Sequence, residues 1–477
     1  MENTNVKILE KQPSTFCVTL PDDSDRIDCA WFNPIIGDKI EGLVNKNKTN
    51  RKNVKLGIIA DVNGGKRLPK GTVIQEGEGA DSVPYVRATD VKNLKINLEN
   101  AVKIPKEIHK IIQNYQLKKE DLAITIVGTI GEVGILEEDA EVVDFTENIA
   151  RIRVKDSSIM SRFLLYYLDS EYGKIQTEKF FVGSLQYKLS LQSCRNIEVY
   201  LPFDKNKFDI KKQRQILNTT DAIFKEAKSK FIKSKKLIEE AHIVIKNKIN
   251  LSMPQASDKS ETYIKNLDLI LDGRLDALFN HPLRDKLLNI LKKYPNKKLG
   301  DLVKFQDKNK IVPSDYYRLV ELEQIDEETG RIVKYREVPE LGSEKVLLKK
   351  GSILISKLQP EKGKIAIVSD EYDGCVGSSE LIPIVLNSKE ISLEYLWVVL
   401  RSDYILKQWE YQLTGSSRMR IGPNEIKNTI IPIPEKRVQG KIVKEVINKI
   451  KLIDITKKDA EELVKKAKQK FLNLLIS

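Results

Sequence analysis

The stretch FVGSLQYKLSLQSCRNIEVYLP, residues 181–202, returns farther along the chain as LTGSSRMRIGPNEIKNTIIPIP, residues 413–434. Gly183 and Gly415, Ser184 and Ser416, and the closing Pro202 and Pro434 fall in matching places, an offset of 232 residues. Each copy runs from a Gly-Ser turn with basic residues beside it into a short strand that ends on proline. A long charged amphipathic run follows each proline. One chain therefore builds the same device twice, and the fold is to be read as a duplication.

The repeat extends in both directions with its order preserved. DRIDCAWFNP (25–34) returns as GRLDALFNHP (273–282), pairing Arg26 with Arg274, Asp28 with Asp276 and Pro34 with Pro282. LKKEDLAIT (117–125) returns as LKKGSILIS (348–356), GEVGIL (131–136) as GKIAIV (363–368), and FLLYYLDSEY (163–172) as YLWVVLRSDY (395–404). Short alternating runs such as DLAITIVG, NIARIRV, GSILISKL and ELIPIVL read as strands, and the FLLYYLDSEYG and YLWVVLRSDYI segments as helices.

After each device the apolar residues recur every seven. Leu217, Phe224, Phe231, Ile238 and Ile245 form one line, with Thr220, Ala227, Ser234 and Ala241 three residues further on. In the second copy Val443, Ile450, Val464 and Phe471 alternate with Val446, Ile453, Ala460, Ala467 and Leu474, and Lys457 alone breaks the seam. Apolar and small residues at heptad spacing suit two helices that pair with each other; an amphipathic helix lying on its own domain is the other reading. The expected class is α+β, with two pseudo-repeated globular heads of about 180 residues separated by two long helices. The expected segments are a first head with an N-terminal extension (1–209), a central helix (210–250), a linker (251–271), a second head (272–435) and a C-terminal helix (436–477).

Composition limits the function. The chain has 477 residues, too many for one ordinary core, and its 41% hydrophobic content suffices for packed units. Lys and Arg number 81 against 68 acids, a formal net charge of +13, which favours a polyanionic partner, nucleic acid first. Cys17, Cys29, Cys194 and Cys375 form no CxxC pair, so a reducing compartment is expected and a zinc site is not. Without an apolar signal segment or an apolar run of about 20 residues, a cytoplasmic, non-membrane protein is expected.

Catalytic signals are poor. His109, His242 and His281 have no Cys, Asp or second His at catalytic or metal-ligand spacing. No Walker A loop, GxSxG elbow or HExxH is present, and Gly128, Gly131 and Gly134 read as a strand-connecting turn. The chain also lacks the Asn/Asp-Pro-Pro-aromatic tetrapeptide of base methylation, so it is expected to be no enzyme itself.

The positive signal is a set of basic loops at matching positions of both halves. NGGKRLPKG (63–71) offers Lys66, Arg67 and Lys70, with Arg87 following in PYVRATDV, and QDKNK (306–310) offers Lys308 and Lys310. SKLQPEKGK (356–364) carries Lys357, Gln359 and Lys362. The two devices carry Ser184, Gln186 and Lys188, and Ser416, Arg418 and Arg420. Lys and Arg beside flexible glycines can meet phosphates or guanine O6 and N7, and Gln can pair with adenine N6 and N7. Taken singly, each of these residues also fits a solvated surface. Two heads on a spacer suit two separated half-sites on one duplex, since a helix of about 40 residues rises about 60 Å, nearly two turns of B-DNA.

Assembled in this order, the blocks closely resemble the specificity subunit of type I restriction-modification systems. RIDCAWFNP and GRLDALFNHP, GGKRLPKG with PYVRATDV, DLAITIVGTIGEVGIL with TENIARIRV, ILISKLQPEKGKIAIV with SSELIPIVL, and the two devices carry the resemblance over nearly the whole chain. It implies that each head is a target recognition domain for one half of a split, asymmetric double-stranded DNA site. It further implies that the two helices form an antiparallel coiled coil that fixes the gap and receives two methyltransferase subunits. Restriction/translocase subunits complete the assembly, and S-adenosylmethionine, ATP and Mg are implied for those partners, with no cofactor in this chain. SLQYKLS and SSRMRIG differ in chemistry, so the half-sites should differ. The residues before Arg26 have no assigned role, and the charged segment 320–338 reads as an exposed strand and turn peculiar to the second head. Three alternatives stay open: an orphan or other-effector DNA specificity protein, a coiled-coil scaffold without a DNA role, and a self-contained nuclease or methyltransferase.

Overall fold

The computed structural model describes residues 51–72, 74, 82–99, 101–113, 115–139, 142–181, 187–254, 274, 276–306, 311–342, 344–415 and 419–476. Arg26, Asp28, Pro34 and residues 255–271 of the expected linker lie outside them. The chain divides into two compact units, residues 1–227 with 461–477, and residues 228–460. Each contains one head and a share of both long helices, Ile210–Ile249 and Lys436–Ile476.

In the first unit the strand Ile149–Val154 lies between Ala60–Gly64 and Leu122–Thr125, both antiparallel to it, and the sheet continues through Val133–Ile135 to Leu94–Ile96 and Val91–Lys92. A second sheet orders Val102–Pro105, Ser82–Val86, Val143–Phe145 and Gln116–Leu117, with its middle pair parallel. The second unit repeats the plan. Its first sheet runs Val303–Phe305, Leu381–Leu386, Ile353–Ser356, Ile365–Ile367, and its other runs Arg336–Val338, Tyr317–Val320, Val376–Ser378, Lys345–Leu347, again with one parallel pair. The strands Leu122–Thr125 and Ile353–Ser356 are buried at every residue, which is why their sequences read as unbroken apolar runs.

The segments read as single helices are each split in two, Ser161–Asp169 then Glu171–Lys179, and Leu393–Leu400 then Asp403–Glu410. The cause is a buried serine. Ser170 and Ser402 sit in extended backbone and donate their hydroxyls to the carbonyls of Tyr167 and Val399, both at 2.6 Å, which ends one helix and starts the next. On each second helix a buried glutamine then clamps the device strand. Gln176 donates to Glu198 O at 2.8 Å and accepts from its N–H at 2.9 Å; Gln408 does the same to Ile430, at 3.0 and 2.9 Å. Replacing Gln408 by Leu orphans two buried backbone groups, so denaturant unfolding should show a loss of about 1–3 kcal/mol for each.

The long helices run antiparallel within the second unit. Lys230 pairs with Asp459 at 2.9 Å, Glu240 with Lys449 at 2.7 Å and Lys248 with Glu445 at 3.1 Å, so one helix ascends as the other descends. The buried centre follows the small residues rather than the large ones. Gln213, Thr220, Ala227 and Ser234 on one helix, and Gln439, Val446, Ile453, Ala460 and Ala467 on the other, are all buried. Leu217, Ile245, Ile450 and Phe471 are buried beside this line, whereas Phe224, Ile238, Val443 and Val464 are half-buried. Phe231 is 40% exposed, whereas Ala227 and Ser234 on the neighbouring line are buried. Lys457, the break in the heptad, bonds Glu328 of its own unit's head and approaches Asp326 to 3.9 Å.

Those acids belong to the charged segment 320–338. Rather than a free exposed turn, its hairpin Ile325–Asp326/Arg331–Ile332 is tied to the C-terminal helix through Lys457 and through Arg331, which bonds Asp454. Arg401, buried, holds the carbonyls of Glu327 and Glu328 at 3.0 and 2.8 Å. Two buried glutamines fasten the heads to the helices. Gln213 donates to Ser158 O at 2.9 Å and accepts from Met160 N at 3.0 Å, and Gln439 donates to Glu390 O at 3.0 Å, each just before a head helix begins.

Candidate nucleic-acid interface

The devices dock on the same loop in both heads. In the first, Leu189 N donates to Ile126 O at 3.0 Å and Lys188 bridges to Val127. In the second, Ile421 N donates to Lys357 O at 3.0 Å and Arg420 bridges to Leu358. The turn before the long central strand completes the arrangement: Ile126 N donates to Asn148 O at 2.9 Å, and Lys357 N to Glu380 O at 2.8 Å. The basic loop of the first head joins it through Gly65 N to Ile149 O at 3.3 Å and Lys66 N to Phe145 O at 3.0 Å. The place of Gly65 is crowded, since an added Cβ would lie 2.3 Å from the carbonyls of Phe145 and Thr146, so only glycine lets the loop pass. Three loops that are far apart in sequence thus meet at one end of each head.

Each device is closed differently. Ser190 caps the helix Leu191–Asn196 by accepting from Ser193 N at 2.9 Å, whereas Gly422 leads into Pro423–Lys427 with proline at its first position. In the second unit Arg274 braces the base of the device, donating to Gln412 O at 3.2 Å and Leu413 O at 3.1 Å while paired with Asp276 at 2.8 Å. That explains the Arg and Asp of the repeated opening block, whose first copy lies outside the described residues.

The expected contact residues fall into three groups. Lys66, Arg67, Lys70, Lys188, Gln359, Lys362 and Arg420 are exposed at these loops. Arg67 carries an ion pair to Glu147 at 2.5 Å and Arg420 one to Glu380 at 2.9 Å, so both cations are held in place by an acid of the neighbouring turn. Lys66 lies over the Tyr115 ring at 5.9 Å, and its carbonyl accepts from Tyr85 Oη at 2.7 Å. Two more are engaged in the fold: Lys357 donates its ammonium to Ser379 O at 2.5 Å, and Arg87 closes a cap with Asp90 at 3.2 Å. Glu321 and Gln324 form the same cap in the second head, so Arg87 stands at a structural turn. Ser184, Gln186, Lys308, Lys310, Ser416 and Arg418 lie outside the described residues.

One pair escaped the sequence altogether. His109 Nδ1 lies 2.8 Å from Asp144 Oδ2, with the aspartate side chain wholly buried, 35 residues away in the chain and opposite Tyr85 in the sheet. Leu319 and Val376 hold the equivalent register in the second head, so this polar pair belongs to the first head only. Burial pushes the Asp144 carboxyl above its ordinary value of 3.8, and the contact with His109 opposes that only in part. Between the two values the folded chain keeps a proton that the unfolded chain has lost, so this group's contribution to stability falls as pH rises through the window. Asp144→Asn cannot ionise. Its melting temperature relative to the parent should therefore climb as pH is raised from about 4, in paired thermal scans.

The other histidines have separate roles. His281 Nδ1 accepts from Leu283 N at 3.2 Å at a helix start, and His242 stands 3.9 Å from Asp403. Among the described residues no group of three or more His, Cys, Asp or Glu could hold a metal ion, and no helix is long and apolar enough to cross a membrane.

The family model for the type I restriction modification DNA specificity domain matches residues 48–239 and 292–465, once per head. The chain is 28% identical over 158 residues to the type I restriction enzyme EcoBI specificity subunit of Escherichia coli, covering 33% of this chain and 32% of that one. It is 27% identical over 135 residues to the type I restriction enzyme MjaVIII specificity subunit of Methanocaldococcus jannaschii, covering 28% and 32%. Each match spans about a third of the relative's length. A crystal structure of the S subunit of a type I restriction-modification system from M. genitalium aligns over 90% of this chain and 97% of its own, at 14% identity and a TM-score of 0.38.

Proposed function

From the fact that the chain belongs to the type I restriction-modification DNA specificity family, with two copies of its domain, we propose that it is the DNA-recognition subunit of such a system. Each head reads one half of a bipartite, asymmetric site on double-stranded DNA. The observation that carries this is the duplicated docking of device and loop with unlike chemistry at equal places: Lys188 against Arg420, and Gly128 against Gln359. Equal scaffolds with different tips are what two different half-sites require.

The exposed lysines supply salt-dependent phosphate affinity, and the side chains at the loop tips read base edges. The antiparallel helices set the gap and receive two methyltransferase subunits, which take S-adenosylmethionine and flip the target adenine out of the stack, since a base is not modified within it. Restriction/translocase subunits, with ATP and Mg, complete the nuclease, and the assembly works in the cytoplasm. The chain itself is the non-catalytic, sequence-reading part.

The test is co-expression with the methyltransferase subunit encoded beside this gene, followed by single-molecule sequencing of methylated DNA. A split adenine-methylated motif that loses one half when the corresponding head is deleted supports the reading. A stable assembly that methylates no split motif refutes it in favour of an orphan or other-effector protein, and failure to bind either DNA or the methyltransferase leaves a scaffold.

A further inference from the structure

The two heads place one loop residue at positive φ and fill that place differently. Gly128 has φ +84° and Gln359 has φ 47°, ψ 52°; each directly follows the residue that bridges to the device, Val127 and Leu358. The left-handed region disfavours every residue with a Cβ, and among those it suits Asn and Asp, whose short polar groups can bond the local backbone. Gln is one methylene too long for that. Pro360 adds to the cost, because a residue before proline is pushed toward extended backbone.

The conformation itself has a structural purpose. Gln359 N donates to Met419 O at 3.2 Å and Gln359 O accepts from Lys362 N at 3.0 Å, which fastens the device to the loop. Glycine reaches this backbone region without a Cβ penalty; in the first head Gly128 O accepts from Ile130 N at 3.0 Å. The space for a side chain at Gly128 is open, with nothing within 4 Å of an added Cβ, so a side chain here projects from the loop instead of packing. Gln359 is exposed, and its carboxamide makes no hydrogen bond among the described residues. A strained position has thus been given a long, free donor-acceptor pair at the tip of the second head, beside Arg420.

Building on the reading of the heads as DNA-binding, we infer that Gln359 is a specificity-determining residue of the second head: it reads one adenine through N6 and N7 in the major groove. The first head, with Gly128 in that place, has no counterpart to this contact.

The experiment compares the wild-type complex with Gln359→Gly, using the full chain co-expressed with its methyltransferase subunit. Methylation is scored on a library carrying every base at each position of both half-sites, and thermal unfolding is followed on the same proteins. Gln359→Gly is expected to raise the second unit's melting temperature by about 2–4 °C, through relief of the left-handed strain. It is also expected to lower discrimination by about 10- to 100-fold at one A·T pair of the second half-site, leaving the first half-site unchanged. A more stable variant with unaltered specificity overturns the inference, because the side chain would then be tolerated rather than used. A less stable variant overturns it too, by giving the side chain a packing role. A wild-type complex that methylates no split motif overturns the DNA-recognition reading itself, an outcome separate from a motif that the substitution leaves intact.

Discussion

Trp409→Ala is expected to unfold the second unit at denaturant concentrations where the first remains folded. The Trp409 ring is fully buried in the second unit's core, and its Nε1 donates to the buried Thr429 Oγ1 at 2.7 Å, tying the second half of the split helix to the device strand. Truncation removes a large apolar volume and the indole's hydrogen bond to Thr429, whose hydroxyl still donates to Glu425 O at 3.3 Å; the cost is about 3–5 kcal/mol, set against a total domain stability of about 5–15 kcal/mol. The first unit has no matching dependence. Thr177 holds the equivalent position there and donates its hydroxyl to Gly173 O at 2.7 Å, and the apolar core of that unit contains no residue between 228 and 460. Urea unfolding followed by far-UV circular dichroism should resolve two transitions, of which only the one assigned to the second unit moves. A single transition shifted as a whole would refute the independence of the two cores.

Removing the charge of Lys66 and Lys70 together is the largest expected effect on binding. Both are exposed on the first head's basic loop, and among the described residues no acid is paired with either, whereas Arg67 between them is held by Glu147. The double substitution Lys66→Ala/Lys70→Ala should weaken DNA binding by about 30-fold at 0.15 M salt, the loss fading toward 1 M, and should reduce the slope of log K against log salt by about 2. Because phosphate contacts carry no sequence information, the methylated motif itself should be unchanged. A changed motif would place these lysines at base edges, and an unchanged slope would remove the loop from the interface. Fluorescence anisotropy across a salt series on duplexes of several sequences reads both.

The fold class, the duplication and the pairing of two long helices were legible because each rests on a periodic or repeated pattern. An offset of 232 residues aligns Gly183 with Gly415, Gln176 with Gln408 and Ser170 with Ser402, and one residue less aligns Val127 with Leu358, the residues that bridge to the two devices, and so Gly128 with Gln359. Heptad spacing marked both helices, yet it left open which of two parallel lines faces the partner. Hydrophobicity favoured the line through Phe231; in the folded chain the line through Thr220, Ala227 and Ser234 is buried and Phe231 is exposed.

By itself the sequence determined the architecture, the basic loops and the absence of familiar catalytic motifs, since propensity, period and charge are local properties of a chain. Tertiary structure alone decided how those loops combine. It brought Lys188 onto Val127 and Arg420 onto Leu358, gave Arg87 to a structural cap, paired Arg67 with Glu147, and joined His109 to Asp144 across 35 residues. Side-chain partners depend on distances set by packing, and no spacing in the chain encodes them. The strain at Gln359 belongs to the same class, for a left-handed backbone at a glutamine before proline is contrary to every local preference and exists only where the surrounding hydrogen bonds hold it.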